Sequence, residues 1–358
     1  MKFVHIADLH LDSPFTNLSE KGNLGNIRRL EQRNAIKKVI GYCKENNVDY
    51  LFIAGDLYEE NYIRKTSIDY INSLFKEIPE TKIFITPGNH DPYIKNSIYE
   101  TYNFAENVHI FKKSIIEKYE DENVNIYGSA FTDFYEQESP IDNLQHIELN
   151  GKTNFLIMHC DLNGAKDKEG FSYNAVLESN LANLKFDYCA LGHIHKNNFE
   201  NGRRIIYPGS LISLGFDELG EHGMVVGELA NGELSTKFVP VDERKFQELE
   251  VKIDEFNTQE ELVEYINNLA LEEKVMYKII LVGNRNFEIN TYDILKLLNQ
   301  NNVLKVKDKT KIGYDIEKLS KENSLRGIYI KKLLEKSENG EYSQEEIEKA
   351  IELGLEVM

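Results

Sequence analysis

The chain has 358 residues, 41% of them hydrophobic and 28% charged, with 60 acidic side chains against 42 basic ones and a formal net charge of −18. That composition excludes collagen-like, disordered and disulfide-scaffold proteins, and the length allows two or three domains of roughly 100 to 200 residues. The negative balance opposes any hold on nucleic acid by bulk electrostatics, so an anionic ligand has to be gripped locally by metal ions, a basic stripe or a partner.

The first residues enter a strand-like run, not a signal peptide, and no window approaches the roughly 18 to 20 apolar residues of a membrane span. A cytoplasmic protein without membrane contact is the expectation. Cys43, Cys160 and Cys189 are too irregularly spaced for a zinc frame or a set of bridges and read as buried thiols.

From residue 1 to 244, short runs rich in Ile, Val, Phe and Tyr at 3–7, 50–54, 82–86, 124–127, 154–158 and 186–191 alternate with amphipathic stretches. This pattern predicts layered α/β architecture with interior strands and crossover helices. After residue 196 the Asn201-Gly202 and Asn231-Gly232 turns predict hairpins and a second, largely antiparallel sheet. Residues 245–323 read as a small β-α-β-α-β domain, with the capping box Thr258-x-x-Glu261 opening its first helix. Residues 324–358 read as two helices around Asn339-Gly340, the second opened by Ser343-x-x-Glu346. A short helical hairpin cannot bury its apolar stripe alone, so it is expected to dock on the body or on another chain.

Chemistry gathers at the C-terminal edges of five apolar runs: Asp8 and His10, then Asp56, then Asn89, His90 and Asp91, then His159, then His193 and His195. In open α/β sheets ligands bind beyond the carboxyl ends of the strands, so these segments should meet in one crevice. The i, i+2 spacing within Asp8/His10 and His193/His195 puts each pair on one side of an extended backbone. Gly55, Gly88 and Gly192 adjoin the ligands and permit sharp turns. Carboxylate, imidazole and amide oxygen suit divalent Mn, Fe or Zn. Two such ions would outweigh Asp8 and Asp56 and favour an anionic substrate.

DLH at 8–10, GD at 55–56, GNHD at 88–91, the isolated His159 and GHIH at 192–195 together resemble the calcineurin-like metallophosphoesterases. The opening FVHIADLHLDSP, the YPGS at 207–210 and the appended C-terminal domain most resemble SbcD-type DNA repair exonucleases, including the YhaO-like branch. The resemblance implies a four-layer αββα sandwich carrying two divalent ions, expected to be manganese. One would be held by Asp8, His10, Asp56 and His195, the other by Asp56, Asn89, His159 and His193, with Asp56 bridging. His90 would act on the transition state and Asp91 would orient it. The implied partners are DNA and an SMC-like coiled-coil ATPase bound through the C-terminal helices, while a homodimer stays open. Many relatives carry a histidine three residues after the bridging aspartate; here that residue is Glu59, which leaves exonuclease action and strand polarity unassigned.

Lys305, Lys307, Lys309 and Lys311 alternate, so an extended backbone would turn all four toward one side, either to track phosphates or to defend a sheet edge. The 20 Tyr and 18 Phe fall mostly in apolar runs and read as core. His5, His109, His146 and His222 read as core histidines. Two other functions remain alongside a nuclease: hydrolysis of a small phosphoester or dinucleotide, and a regulatory protein that binds DNA ends and has only vestigial cleavage.

Overall fold

A computed structural model describes the chain apart from residues 16–17, 19–22, 136–148, 150, 165–172, 314–315 and 358. His146 therefore lies outside the described residues. The chain forms two compact units, residues 1–247 with 272–276, and residues 248–271 with 277–358.

In the first unit, four parallel strands come first: β1 (Lys2–Ile6), β2 (Tyr50–Ile53), β3 (Lys82–Ile85) and β4 (Val108–Ile110). Helices α1 (Leu24–Asn46) and α2 (Lys65–Phe75) make the first two crossovers, and the single turn α3 (Ile98–Thr101) lies in the third. The chain then builds a second sheet from β5 (Glu117–Glu120), β6 (Val124–Gly128), β7 (Thr153–His159), β8 (Tyr188–Gly192) and β9 (Ile205–Ile206), with α4 (Glu178–Leu184) before β8. Strands β6 to β9 are parallel and only β5 runs against them. Finally β10 (Gly223–Ala230) and β11 (Glu233–Pro240) return to the first sheet, giving the order β11-β10-β1-β2-β3-β4.

The Asn231-Gly232 turn joins β10 to β11 as its sequence predicts, both residues having positive φ, as a type I′ hairpin needs. The expected antiparallel second sheet is corrected. The hairpin pairs with β1 in the first sheet, and the second sheet is the mainly parallel β5–β9. Alternation along a strand marks its buried face but not which neighbour accepts its edge.

The inner faces of the two sheets meet in an aromatic core. Phe3 lies 5.4 Å from Phe155 and 4.6 Å from Tyr188, and Phe52 lies 5.1 Å from Phe155, ring centre to ring centre. Truncating one such ring to alanine costs about 3–5 kcal/mol. The alternate residues of the first sheet (Val4, Ile6, Leu51, Ile53, Ile83) are buried as completely, and α1 and α2 supply matching apolar stripes. Leu181 of α4 packs on the outer face of the second sheet with Met158, Cys160 and Cys189. The layers are helix, sheet, sheet, helix. All three cysteines are buried free thiols. His5 is a buried core histidine whose Nδ1 lies 2.9 Å from Tyr188 OH while its Nε2 has no hydrogen-bond partner among the described residues, and His109 packs among Phe84, Phe111 and Tyr119.

Most of a three-stranded sheet falls in the second unit: β12 (Lys245–Lys252) and β13 (Val275–Val282), whose first residues belong to the first unit, and β15 (Val303–Asp308); β14 (Asn284–Arg285) and β16 (Lys311–Ile312) form a further pair. Helices α5 (Gln259–Asn267) and α6 (Thr291–Leu297) connect the strands. Thr258 caps α5 through the Glu261 N–H. Three helices follow: α7 (Ile316–Ser320), α8 (Leu325–Glu338) and α9 (Gln344–Val357). The terminal hairpin does not wait for another surface to bury its stripe. Ile330, Ile347, Ile351 and Leu355 are buried together, with Ile316 and Leu319 of α7 packed against them. No helix among the described residues is long and apolar enough to cross a membrane.

Candidate metal centre

Strands β1, β2, β3, β7 and β8 all deliver their carboxyl ends to one place, the first three from one sheet and the last two from the other. The backbone does not remain extended there. Asp8, His10, Asp56 and His193 all have positive φ, which costs a residue with a side chain of order 1–3 kcal/mol and persists only where surroundings enforce it. The enforcement is visible: Asp8 and His10 donate their N–H groups to the carbonyls of Gly55 and Asp56, and His193 donates to the Asp8 carboxylate. The extended i, i+2 geometry expected from spacing is thus replaced by left-handed kinks. His10 meets His195, whereas His193 lies 5.1 Å from the ring of His159. Close approach also explains two glycines. A side-chain carbon on Gly88 would overlap the Asp56 carboxylate, and one on Gly192 would overlap the Ala54 carbonyl.

Three imidazoles are fixed in the same manner. His10 meets Glu59 through Nδ1 at 2.8 Å, His195 meets Glu218 at 2.6 Å, and His159 meets the Ala54 carbonyl at 2.9 Å. With each Nδ1–H donated outward, every Nε2 is left facing the others and the carboxylates, the arrangement by which histidines are oriented toward a metal. His10 Nε2 and His195 Nε2 are 3.0 Å apart; His159 Nε2 is 3.0 Å from Asn89 Oδ1 and 3.3 Å from Asp56 Oδ2. These are contacts between lone pairs, which need a proton or a cation between them. Donor atoms within 4.8 Å of one another form three sets: Asp8, His10 and His195; Asp8, Asp56 and His159; and His10, Asp56 and His90. The donor chemistry therefore fits divalent ions.

The electrostatics agree. Burial opposes charge on His159 and His195, yet Asp56 and Asp8 beside the first, and Glu218 with Asp8 beside the second, hold both up at about 9. Asp56 lies well below the usual carboxylate range despite its burial because His159, His90 and His10 surround it. Burial and the neighbouring His159 push His193 down to about 3. A cation binding here must expel protons from His159 and His195.

His90 sits at the rim, its side chain 44% exposed, with Nδ1 3.1 Å from Glu59 and its ring 4.7 Å from that of His10. Burial lowers its pKa, but the Glu59 hydrogen bond and the charges of Asp56, Glu59 and Asp91 raise it to about 9. Asp91, expected to orient His90, serves the backbone instead. Its carboxylate accepts N–H groups from Gly88, Asp56 and Leu57 and the Tyr99 hydroxyl. The partner of His90 is Glu59, which the sequence marks only as a departure from related chains. Glu218 escapes sequence reasoning entirely: it lies in a loop 23 residues after His195, and also accepts from Ser210 Oγ and the Leu214 N–H. His222 completes that loop, its ring on Ser210 Oγ and the Glu218 carbonyl.

Residues 1–197 match the family model described as calcineurin-like phosphoesterase. The chain belongs to this family. Among calcineurin-like phosphoesterases, it is similar to the uncharacterized metallophosphoesterase YhaO of Bacillus subtilis, at 25% identity over 279 residues, covering 75% of this chain and 67% of that protein. It is also similar to the SbcD component of the nuclease SbcCD of Staphylococcus epidermidis, at 26% identity over 293 residues, covering 70% of this chain and 72% of that one. Among solved structures, a dimetal phosphatase from Danio rerio aligns over 66% of this chain and 95% of its own, at 11% identity and a TM-score of 0.38.

The four lysines belong to the second unit. Lys305 and Lys307 are exposed on β15, an edge strand, with Val306 between them buried. β15 ends at Asp308, whose carboxylate accepts both the N–H and the hydroxyl of Thr310, but the pairing continues in register: the Lys309 and Lys311 N–H groups donate to the Leu281 and Gly283 carbonyls, and Lys311 opens β16. All four lysines are exposed.

Proposed function

We propose that this phosphoesterase is a two-metal-ion phosphodiesterase acting on DNA, a cytoplasmic nuclease of the SbcD type. The observation that carries the reading is the set of three imidazoles, each anchored through Nδ1, that converge with Asp8 and Asp56 from two sheets. Asp8, His10, Asp56 and His195 would hold one ion and Asp56, Asn89, His159 and His193 the other, manganese being the expected metal. Bound there, the ions supply Lewis acidity and an activated water. The chain's own residues do the rest. Glu59 and Glu218 hold ring orientation, Asp91 holds the loops bearing Asp56 and Asn89, and His90 presents a charged imidazole at the rim to a phosphoryl or leaving oxygen. The staphylococcal relatives are named as subunits of a nuclease, which supports a nucleic acid as substrate.

An SMC-like coiled-coil ATPase is the proposed partner. Leu325 and Ile328, three apart on α8, and Leu353 on α9 are 73%, 54% and 57% exposed after the helices have buried their shared stripe. The four lysines are the proposed nucleic-acid contacts of the second unit. Replacing Lys305, Lys307, Lys309 and Lys311 by Gln should weaken DNA binding and flatten its salt dependence, read by fluorescence anisotropy over a salt series; unchanged binding would leave edge defence as their role.

The function is tested by stripping the protein of metal and supplying end-labelled DNA, a dinucleotide and a chromogenic diester in parallel, with and without manganese. Metal-dependent loss of DNA is expected. Hydrolysis of the small esters with intact DNA would assign a small-molecule enzyme, and DNA binding without any hydrolysis a regulatory role. Within the site, Glu218→Gln should weaken metal affinity by about 10- to 100-fold, measured by calorimetric titration, because His195 loses the group that fixes its ring. An unchanged affinity would remove Glu218 from the metal centre.

A further inference from the structure

Beside the metal centre the first unit holds a basic cavity that the reaction described above does not use. Its volume is about 380 Å³, and it is lined by Arg29 and Arg33 of α1, Arg64 before α2, Asp12 and Tyr62. Its walls are continuous with the metal loops. Asp12 follows His10 by two residues, and Tyr62 follows Glu59 by three. Gln32, between the two arginines on α1, donates to the carbonyls of both Leu9 and His10. The Arg64 N–H donates to Asp12 Oδ2, so the entry to α2 is tied to the same segment.

The charges do not cancel. Asp12 is the one carboxylate among the described lining residues, and it is committed to Arg33 at 2.9 Å, to the Ser67 hydroxyl at 2.6 Å and to the Arg64 N–H. Among the described residues, Arg29 meets neutral acceptors, the Pro14 carbonyl and Asn26 Oδ1. The Arg64 side chain is exposed. Among the described lining residues, three guanidinium groups against one carboxylate leave a local excess of positive charge in a chain whose net charge is −18. Unlike lysines on an open strand, these groups line a concavity. Planar guanidinium forks match the oxygens of phosphate, and Tyr62, 54% exposed, offers an aromatic face at the rim.

We propose that this cavity is a phosphate-binding subsite that receives a second, non-reacting phosphate of a nucleotide substrate, with Arg29 and Arg64 as its principal contacts and Tyr62 beside the adjoining base. The inference rests on the phosphodiesterase reading for its placement next to the scissile bond, but its binding chemistry is independent of turnover. A single-phosphate ester cannot use the cavity. A DNA strand and a dinucleoside polyphosphate both can, and they share the chemistry of a second phosphate.

The test is equilibrium binding to the full chain in EDTA, where no bound ion contributes and the residues of the metal centre are the same in every variant. The probes are a fluorescent oligothymidylate and a fluorescent dinucleoside polyphosphate. Wild type is compared with Arg29→Gln/Arg64→Gln, with Arg64→Gln alone, whose exposed side chain keeps folding out of question, and with Arg29→Lys/Arg64→Lys. The double Gln variant should raise the dissociation constant for oligothymidylate about tenfold or more. It should also make the slope of log K against log salt shallower by about 1.4, the value for two lost phosphate contacts on a single strand. The single variant should show part of the effect, and the Lys pair should restore most of the salt slope. A loss confined to the dinucleoside polyphosphate supports the subsite and names the smaller substrate. No loss for either probe, or a wild type that binds neither, overturns it. Hydrolysis by wild type with manganese separates the two ideas: arginine-dependent binding without any hydrolysis keeps the subsite and removes the phosphodiesterase, whereas hydrolysis with arginine-independent binding does the reverse.

Discussion

Asp56→Asn protein should lose bound metal and turnover together. Asp56 Oδ2 stands between two imidazoles, 3.6 Å from His10 Nε2 and 3.3 Å from His159 Nε2, while Oδ1 accepts the His90 N–H. One carboxylate thus faces donors from both sheets, and the amide keeps its shape but not its charge. Removing an outer partner of a ligand costs about 10- to 100-fold in affinity, so removing a bridging ligand should cost at least about 10²-fold. Two measurements check this, metal content after dialysis and the shift in melting temperature on adding manganese. A ligand at 100 times its dissociation constant stabilises the folded state by about 2.7 kcal/mol, and Asp56→Asn should show little of that gain. A variant that still binds two ions tightly would refute the bridging role.

His90→Ala should behave differently, keeping its metal and losing kcat by about 10²- to 10⁴-fold, the range for a positioned proton donor. The contrast is sharp because His90 belongs to one of the three donor sets, with His10 and Asp56, and geometry alone would also allow it to be a ligand. Its Nδ1 is occupied by Glu59 and its side chain reaches the surface, both of which suit contact with substrate. Metal content measured beside kcat decides between the two. Lost metal makes His90 a ligand, and full activity leaves it without a role in the reaction.

Much of this site is legible without the fold. Ligand-type residues at the ends of five apolar runs imply a shared crevice, because parallel strands have their carboxyl ends on one side, and the structure brings Asp8, His10, Asp56, Asn89, His159, His193 and His195 to that edge. The turn chemistry of Asn231-Gly232 and the cap at Thr258 are equally readable, since both are set by the backbone within a few residues. What stays hidden depends on distant partners. Glu218 is an ordinary acidic residue in a loop until the fold sets it on His195, and Glu59 reveals its purpose only when His10 and His90 flank it. The placement of β10 beside β1 is hidden for the same reason, as is the cooperation of α7 with the terminal helices.

The two leaves of the sandwich each carry part of the donor set, Asp8, Asp56 and Asn89 on one and His159, His193 and His195 on the other. Their spacing is therefore gauged by whatever prevents one leaf from sliding over its mate, and that is the interlocked ring packing of Phe3, Phe52, Phe155 and Tyr188. A change buried among those rings, touching no ligand, would be felt at the crevice as a loss of fit between opposing jaws. Conversely, ions seated between the jaws would clamp the leaves in alignment, so that the reaction centre and the mechanical integrity of the sandwich stand or fall as one.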